Sequence, residues 1–270
     1  MSNNTGIITV DNIDFELRPN ERFPSKPDRV CLRKPANFTD RYLALAEEFQ
    51  ECRMVEIGVD RGGSTSFFLK LFKPQGLLAL ELSHRPVATV MDFLKAHDAE
   101  KRVNICWGVD QADEVELPRL VEEMFDDQPL DLVIDDASHL LVPTTSTFEI
   151  LFPRLRAGGL YIIEDWSSKH LLERRLALEK AENPEGEIAR RLNAAEEDSN
   201  YKHTMPMSLL CCQLLIASGR NPDWIAEVRA TDGFCEIRRG EGKIPSGTGI
   251  SGYLGAIGSW MFARPEENEA

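Results

Sequence analysis

The sequence predicts an α/β fold with a doubly wound, mostly parallel sheet, and two observations support this prediction. Short apolar runs alternate with stretches of helix length, and the runs lie at MVEIGV (54–59), LLALEL (77–82), VNICWG (103–108), LDLVIDD (130–136) and LYIIED (160–165). Such alternation indicates right-handed βαβ units. Four of the five runs also end in or beside Glu or Asp, as buried strands do where they leave the core. Because ligands bind outside the carboxyl ends of parallel strands, these acidic residues are expected to line the site.

The rest of the chain divides into an arm, a main domain and an insert. Residues 1–38 have no helical period and predict an N-terminal arm with a hairpin at most. Residues 39–270 are expected to form the main domain, which begins with a helix that carries Tyr42 on its apolar face. A stretch rich in Glu, Arg and Lys at about 167–205 predicts a helical insert, either a lid over the substrate or a solvated helix pair.

The C-terminal part is expected to complete a seven-stranded, Rossmann-like sheet. Residues 208–218 predict a buried helix, and two strand-like runs around Asp232 and Gly233 predict a hairpin. The segment 259–264 predicts a last strand, and the glycine-rich segment 246–255 predicts a loop.

Composition and charge exclude several classes of function. The formal net charge of −14 opposes binding to nucleic acid, which depends on Lys and Arg against phosphate. No apolar run is long enough to span a bilayer, and the N-terminus has neither a secretory nor a transit signal, so we expect a cytoplasmic protein without membrane contact. Six cysteines without CxxC spacing predict neither a zinc site nor a disulfide framework. A homo-oligomer is compatible with all of this.

The stretch EIGVDRGGST (56–65) joins the first core strand to its helix, and its glycines let the backbone approach a ligand closely. A dinucleotide fingerprint would need glycine where Asp60 stands, and a pyrophosphate would meet that carboxylate. A sulfonium cofactor, which has a positive centre, an amino group and no phosphate, suits an acidic strand end better. We therefore expect this turn to bind such a cofactor through Glu56, Gly58, Gly62 and Ser64.

Acidic and amide side chains at the next two strand ends predict a nucleoside site. Glu81 ends the second strand, where a carboxylate can accept hydrogen bonds from both ribose hydroxyls, although a solvent-exposed Glu is the alternative. Asp110 and Gln111 follow the third strand and can bracket an adenine. Each signal is weak alone, and the ordered series across three strands makes the prediction stronger.

With EIGVDRGGS, LELS, GVDQAD, VIDDASH and GGLYIIEDW in this order, residues 40–166 resemble class I S-adenosylmethionine-dependent methyltransferases. They look most like the macrocin-type sugar O-methyltransferases of antibiotic and other natural-product pathways. The resemblance implies S-adenosylmethionine and Mg²⁺ as cofactors, Asp135 beside the methyl donor, and His139 as the base. It implies Asp136, Glu164 and Asp165 as metal ligands. The chain departs from the family at Ala137, where Gly is usual, and at Val109, which is inserted before Asp110 where the family commonly has GDQ.

Charge repulsion supports the same metal site. The ends of the fourth and fifth strands bring four carboxylates together, and like charges at short range must take up protons or gather around a cation. Oxygen ligands select a hard cation such as Mg²⁺. The alternative is that Asp135 or Ser138 caps the next helix, which explains one carboxylate and not the other three. For His139, the alternative to a catalytic base is a packing role.

The expected reaction is O-methylation of a small molecule that offers a hydroxyl, with a neighbouring hydroxyl as a second chelating oxygen. A sugar on a natural product has this feature, and so does a catechol-like diol, so catechol-type O-methylation is the nearest alternative. A non-catalytic nucleoside-binding protein of the same fold is a further alternative, which His139 argues against because a binder needs no base.

Overall fold

The computed structural model describes residues 6–17, 25–26, 28–197 and 205–255. Its strands are β1 (Ile7–Val10), β2 (Ile13–Leu17), β3 (Arg29–Leu32), β4 (Arg53–Ile57), β5 (Gly76–Glu81), β6 (Val103–Trp107), β7 (Leu130–Asp135), β8 (Leu155–Glu164), β9 (Ile225–Ala230) and β10 (Phe234–Arg239). The central sheet has seven strands in the order β6-β5-β4-β7-β8-β10-β9. The predicted doubly wound seven-stranded α/β fold is therefore confirmed.

The five strands from β4 to β8 are parallel, and β10 runs antiparallel to both of its neighbours, β8 and β9. All the carboxyl ends of the parallel strands therefore meet at one edge. The strand order reverses between β4 and β7, which are adjacent in the sheet but far apart in sequence. This is the point at which a doubly wound sheet opens a crevice for a ligand.

Helices cover both faces of the sheet. They are α1 (Ala36–Leu45), α2 (Gly63–Phe72), α3 (Ala88–Ala96), α4 (Glu116–Phe125), α5 (Leu141–Leu151), α6 (Ser168–Glu182), α7 (Glu187–Glu197), α8 (Ser208–Arg220) and α9 (Ile250–Leu254). One apolar cluster packs α1 to α3 against the sheet, and a second packs α4, α5 and α8 against the other face. The inner strands β4, β5 and β7 bury both faces, which explains their largely apolar sequences.

The N-terminal arm is more regular than the sequence indicated. Its strands β1 and β2 form an antiparallel hairpin, and β3 adds to β2 in parallel. This small sheet packs on α2, where a Cβ atom added to Gly63 would lie 2.3 Å from the carbonyl oxygen of Cys31. The close approach fixes the end of β3 next to the carboxyl edge of the central sheet.

The C-terminal predictions were partly correct. The hairpin is formed by β9 and β10, the buried helix by α8, and the helical insert contains α6 and α7. The expected loop at 246–255 was wrong in part, because α9 forms there and buries Tyr253 against the second apolar cluster. The predicted strand at 259–264 lies outside the described residues. Among the described residues, none of the helices is long and apolar enough to cross a membrane.

Candidate active site

The turn after β4 lies against the end of β7. Gly58 has a φ of +94°, and a Cβ atom at this position would lie 2.2 Å from the carbonyl oxygen of Asp136. The backbone N–H of Asp136 donates to the carbonyl of Ile57 over 2.9 Å, which continues the pairing of the two strands. Only glycine combines this φ with this approach. The turn after β4 and the residue after β7 are therefore packed backbone against backbone at the point where the crevice opens.

Glu56 lies at the bottom of this turn with 1% of its surface exposed. Neither carboxylate oxygen has a hydrogen bond of good geometry within the described chain, although the hydroxyls of Ser64 and Thr65 are near enough to influence it. Burial raises the pKa of Glu56 to about 7, and these hydroxyls oppose the rise. A buried acceptor without a good partner fits a ligand that brings its own donor, such as an amino group.

Glu81 closes the same turn from β5. Its carboxylate accepts hydrogen bonds from the backbone N–H groups of Val59 (3.1 Å) and Asp60 (2.9 Å), and also from that of Ser83 (2.9 Å). The side chain is thus held at the carboxyl edge, beside Gly58 and Gly62. The ribose contact expected for Glu81 stays a prediction.

Asp135 and Gln111 are brought together under the strand ends. Gln111 donates to Asp135 over 3.3 Å, and the hydroxyl of Tyr161 donates to Asp135 over 3.0 Å. Burial raises the pKa of Asp135 to about 7, and the hydrogen bond from Tyr161 opposes that rise. Asp110 is exposed and accepts from the N–H of Ala112. The cofactor contacts expected for these three residues stay predictions, and all three already have hydrogen-bond partners inside the protein.

Three side chains that follow β7 and β8 converge at the mouth of the crevice. Asp136, His139 and Asp165 each offer one ligand atom, and these atoms lie within 4.8 Å of one another. His139 Nε2 lies 3.7 Å from Asp136 Oδ1. Both His139 and Asp165 have positive φ angles, of 53° and 52°. Such backbone is uncommon for residues other than glycine and is often found at functional sites.

Glu164 belongs to the same carboxylate cluster but is buried behind it. Lys34 Nζ donates to Glu164 Oε1 over 2.6 Å and to Oε2 over 2.7 Å, and it also donates to Asp136 Oδ2 over 2.8 Å. The hydroxyl of Tyr42 donates to Glu164 Oε1. Lys34 follows β3 and Tyr42 lies on α1. The N-terminal segment formed by β3 and α1 therefore supplies two members of the site.

The pKa values of two acidic groups in the cluster are raised because these groups are buried and lie close to a third. Burial raises the pKa of Glu164, and the charge of Asp136 adds to this rise. Burial followed by the charge of Asp136 likewise raises the pKa of Asp165. Burial alone would lower the pKa of Lys34, but the charges of Asp136 and Glu164 raise it above its ordinary value. The cluster therefore favours a cation, and the Lys34 ammonium is one.

Sequence reasoning missed Lys34 and the polar role of Tyr42. Tyr42 was placed on the apolar face of its helix, where its ring does pack against Phe67 and Phe68. Its hydroxyl reaches past them to Glu164. No local pattern marks Lys34 as buried, because its neighbours between β3 and α1 include the exposed residues Arg33 and Asn37. A single buried lysine requires a charge partner, but the sequence cannot say which carboxylate it meets.

The donor set fits a divalent cation. Carboxylate oxygens from Asp136 and Asp165 face the crevice, both side chains are partly exposed, and their separation allows them to bind one ion. Hard oxygen donors of this kind suit Mg²⁺ or Mn²⁺. His139 lies close enough either to bind the same ion or to accept a proton beside it.

Comparison with known proteins shows that part of the chain is similar to methyltransferases. Residues 55–166 match the family model described as methyltransferase domain. The chain is 36% identical over 127 residues to mycinamicin VI 2''-O-methyltransferase of Micromonospora griseorubida, a match that covers 44% of this chain and 28% of that protein. It is 30% identical over 170 residues to L-olivosyl-oleandolide 3-O-methyltransferase of Streptomyces antibioticus, covering 57% of this chain and 40% of that protein.

Among solved structures, the chain is similar to the MycE methyltransferase of the mycinamycin biosynthetic pathway, solved in complex with Mg and SAH. The TM-score is 0.52 at 22% identity, with 83% of this chain and 55% of that chain covered. At this identity the similarity shows a shared fold. The chain spans less than half the length of each of these two curated relatives. The resemblance that the motifs predicted is confirmed, and residues 55–166 match the methyltransferase domain family.

Proposed function

We propose that this chain is a Mg²⁺-dependent, S-adenosylmethionine-dependent O-methyltransferase that acts on a hydroxyl of a small molecule, namely a sugar of a glycosylated natural product. The convergence of Asp136, His139 and Asp165 beside the turn at Gly58 is the observation that carries the proposal. This convergence supports a cation site and a base next to the crevice in which sheets of this kind bind their ligands.

The residues around the turn would hold the methyl donor. Glu56 offers a buried carboxylate to the amino group of the donor, and Gly58 and Gly62 keep the backbone free of side chains where the donor approaches. Glu81 would bind the ribose from the end of β5, and Ser64 would contact the donor from the start of α2. Asp110, Gln111 and Asp135 complete the proposed set.

Asp136 and Asp165 would hold the metal, and Glu164, the third ligand that the resemblance implies, would join them by exchanging a hydrogen bond from Lys34 or Tyr42 for the ion. When bound, Mg²⁺ supplies a Lewis acid that lowers the pKa of an acceptor hydroxyl and fixes its direction. His139 lies at the same mouth of the crevice, where its imidazole accepts the hydroxyl proton. Lys34 and Tyr42 keep Glu164 in place from behind. In this arrangement the chain positions the acceptor, and positioning provides much of the acceleration of a methyl transfer.

A sugar acceptor is proposed on two grounds. Neighbouring hydroxyls on a sugar offer two oxygens to one cation, which matches an open site of carboxylates. The names of the relatives specify O-methylation of mycinamicin VI and of an L-olivosyl group, the latter being a sugar. The six cysteines lie in the described chain and form no disulfide there, which agrees with the cytoplasm as the proposed compartment.

A screen with isotopically labelled S-adenosylmethionine tests the proposal. Purified protein with Mg²⁺ is incubated with a panel of glycosides and a panel of catechols, and label transfer is measured. The expected result is transfer to glycosides that carry neighbouring hydroxyls, with loss of activity in EDTA and recovery on adding Mg²⁺. Transfer to catechols alone would overturn the sugar assignment, and full activity in EDTA would overturn the metal assignment.

A further inference from the structure

Lys34 is a cation built into the proposed metal site, and the matched methyltransferase segment at 55–166 does not include it. Its side chain is 4% exposed, and its ammonium contacts both oxygens of Glu164 and one oxygen of Asp136. The other Asp136 oxygen, Oδ1, faces His139. The Asp136 carboxylate thus accepts from Lys34 with one oxygen and faces the mouth of the crevice with the other.

The position of Lys34 is fixed from the N-terminal side. It follows β3, which pairs with β2 and packs on the start of α2 through the close contact between Cys31 and Gly63. The next residue, Pro35, begins α1 as its N-cap. The backbone of Lys34 is therefore held between two anchored elements, and only its side chain has still to be ordered when the ammonium binds its partners.

The charges of the cluster can be counted. Asp136, Glu164 and Asp165 together carry −3 when ionised, and the ammonium of Lys34 reduces this to −2. A divalent cation then brings the cluster to neutrality. Without Lys34, the same cation would leave a net charge of −1, and an acceptor hydroxyl would lose its proton less readily beside it. A buried positive charge also repels an incoming cation, by an amount that grows with the charge of that cation.

We propose that Lys34 is a positioning residue of the metal site, which holds Glu164 and Asp136 in place and cancels one of their charges. It thereby weakens the binding of a divalent cation and preserves the acidity that the cation confers on the acceptor. This inference rests on the metal site of the proposed function. It adds a role for the N-terminal segment, which the motifs of the methyltransferase domain do not contain.

Titration with Mn²⁺, followed by the electron paramagnetic resonance signal of the free ion, tests the inference without any acceptor. Lys34→Met removes the charge and the donors, and Lys34→Gln removes the charge but keeps donors. We expect both variants to bind Mn²⁺ at least tenfold more tightly than the wild-type chain. Lys34→Arg keeps the charge and is expected to stay within threefold. Lys73→Met, which removes an exposed lysine at the far end of α2, is the control and is expected to have no effect.

A trivalent ion separates a charge effect from a packing effect. The Coulomb repulsion scales with ionic charge, so the gain in affinity for Tb³⁺ on replacing Lys34 should exceed the gain for Mn²⁺. Equal gains for the two ions would contradict the proposal, because a merely rearranged pocket has no reason to rank ions by charge. The turnover of the neutral variants with an accepted glycoside should fall even though their metal is bound more tightly.

The outcomes separate this inference from the proposed function. If the wild-type chain binds no Mn²⁺, both are overturned. If it binds Mn²⁺ and the folded neutral variants bind it equally or more weakly, the role of Lys34 is overturned alone. A neutral variant that unfolds without metal is expected to regain its structure with Mn²⁺, because the ion replaces the lost positive charge. Failure of Mn²⁺ to restore folding would contradict the proposal.

Discussion

Gly58 and Asp136 touch through their backbones at the point where the central sheet opens. A Cβ atom on Gly58 would lie 2.2 Å from the carbonyl oxygen of Asp136, and Gly58 adopts a φ of +94°. The turn that faces the cofactor crevice and the residue proposed to hold the metal are therefore one packed unit. A substitution at either residue is expected to shift the backbone of the other.

Gly58→Ala is expected to destabilise the chain by about 2 kcal/mol or more, because the new methyl group requires both a strained φ and a backbone shift. Thermal unfolding measures this. Gly219→Ala is the matched control, since no atom lies within 4 Å of a Cβ at this helical position. The control is expected to be neutral or stabilising by about 0.5–1 kcal/mol. Equal effects at both positions would show that the approach to Asp136 is not tight.

Tyr42→Phe is expected to destabilise the chain by about 1–3 kcal/mol, because the buried Glu164 loses a hydrogen-bond donor. Tyr253 offers a matched comparison, since its hydroxyl is buried and has no hydrogen-bond partner among the described residues. Tyr253→Phe is expected to change stability by less than about 0.5 kcal/mol. Denaturant unfolding at neutral pH compares the two variants. A neutral Tyr42→Phe would mean that Glu164 does not depend on the tyrosine.

Glu56→Gln is expected to stabilise the ligand-free chain at pH 8. The folded-state pKa of Glu56 is raised by burial to about 7, above its ordinary value of 4.5, so ionisation opposes folding increasingly as the pH rises from 4.5 to 7. The variant removes this penalty, which is about 3 kcal/mol at most above pH 7 and absent below pH 4.5. Unfolding free energies measured from pH 5 to pH 8 check the trend.

The control for Glu56 is Glu100→Gln, a change at an exposed position. It is expected to show no such dependence on pH. If the gain in unfolding free energy of Glu56→Gln shrinks towards pH 8, Glu56 is not a buried carboxylate that lacks good hydrogen-bond partners.

His139→Gln is expected to lower kcat for an accepted glycoside by about 10²–10⁴, because the hydroxyl loses its base. The affinity for Mn²⁺ is expected to stay within threefold. A steady-state assay and a metal titration on the same preparation measure both quantities. A tenfold loss of Mn²⁺ affinity would instead make His139 a metal ligand, which its position near Asp136 and Asp165 also allows.

The central fold was predictable because its signals are local. Each parallel strand is a short apolar run, and the acidic residue at its end marks where it leaves the core. Asp136 and Glu164 could be expected to meet because their strands are neighbours in the sheet, and the structure pairs β7 with β8. The hairpin at Gly233 also has a local signal in its turn residues.

The features that escaped prediction depend on long-range packing. Lys34 meets Glu164 across 130 positions of sequence, and no local pattern in the N-terminal arm specifies that contact. Tyr253 forms part of the second apolar cluster because Phe148 and Trp224 surround it, although its glycine-rich segment is typical of a loop. In both cases tertiary contacts outweigh the local sequence preference.

A crystal structure of the chain soaked with Mn²⁺ and S-adenosylmethionine tests the central claim most directly. The anomalous signal of manganese is predicted between the carboxylates of Asp136 and Asp165, with the amino group of the donor beside Glu56. A manganese site elsewhere in the molecule, or a donor bound away from the turn at Gly58, would contradict the account.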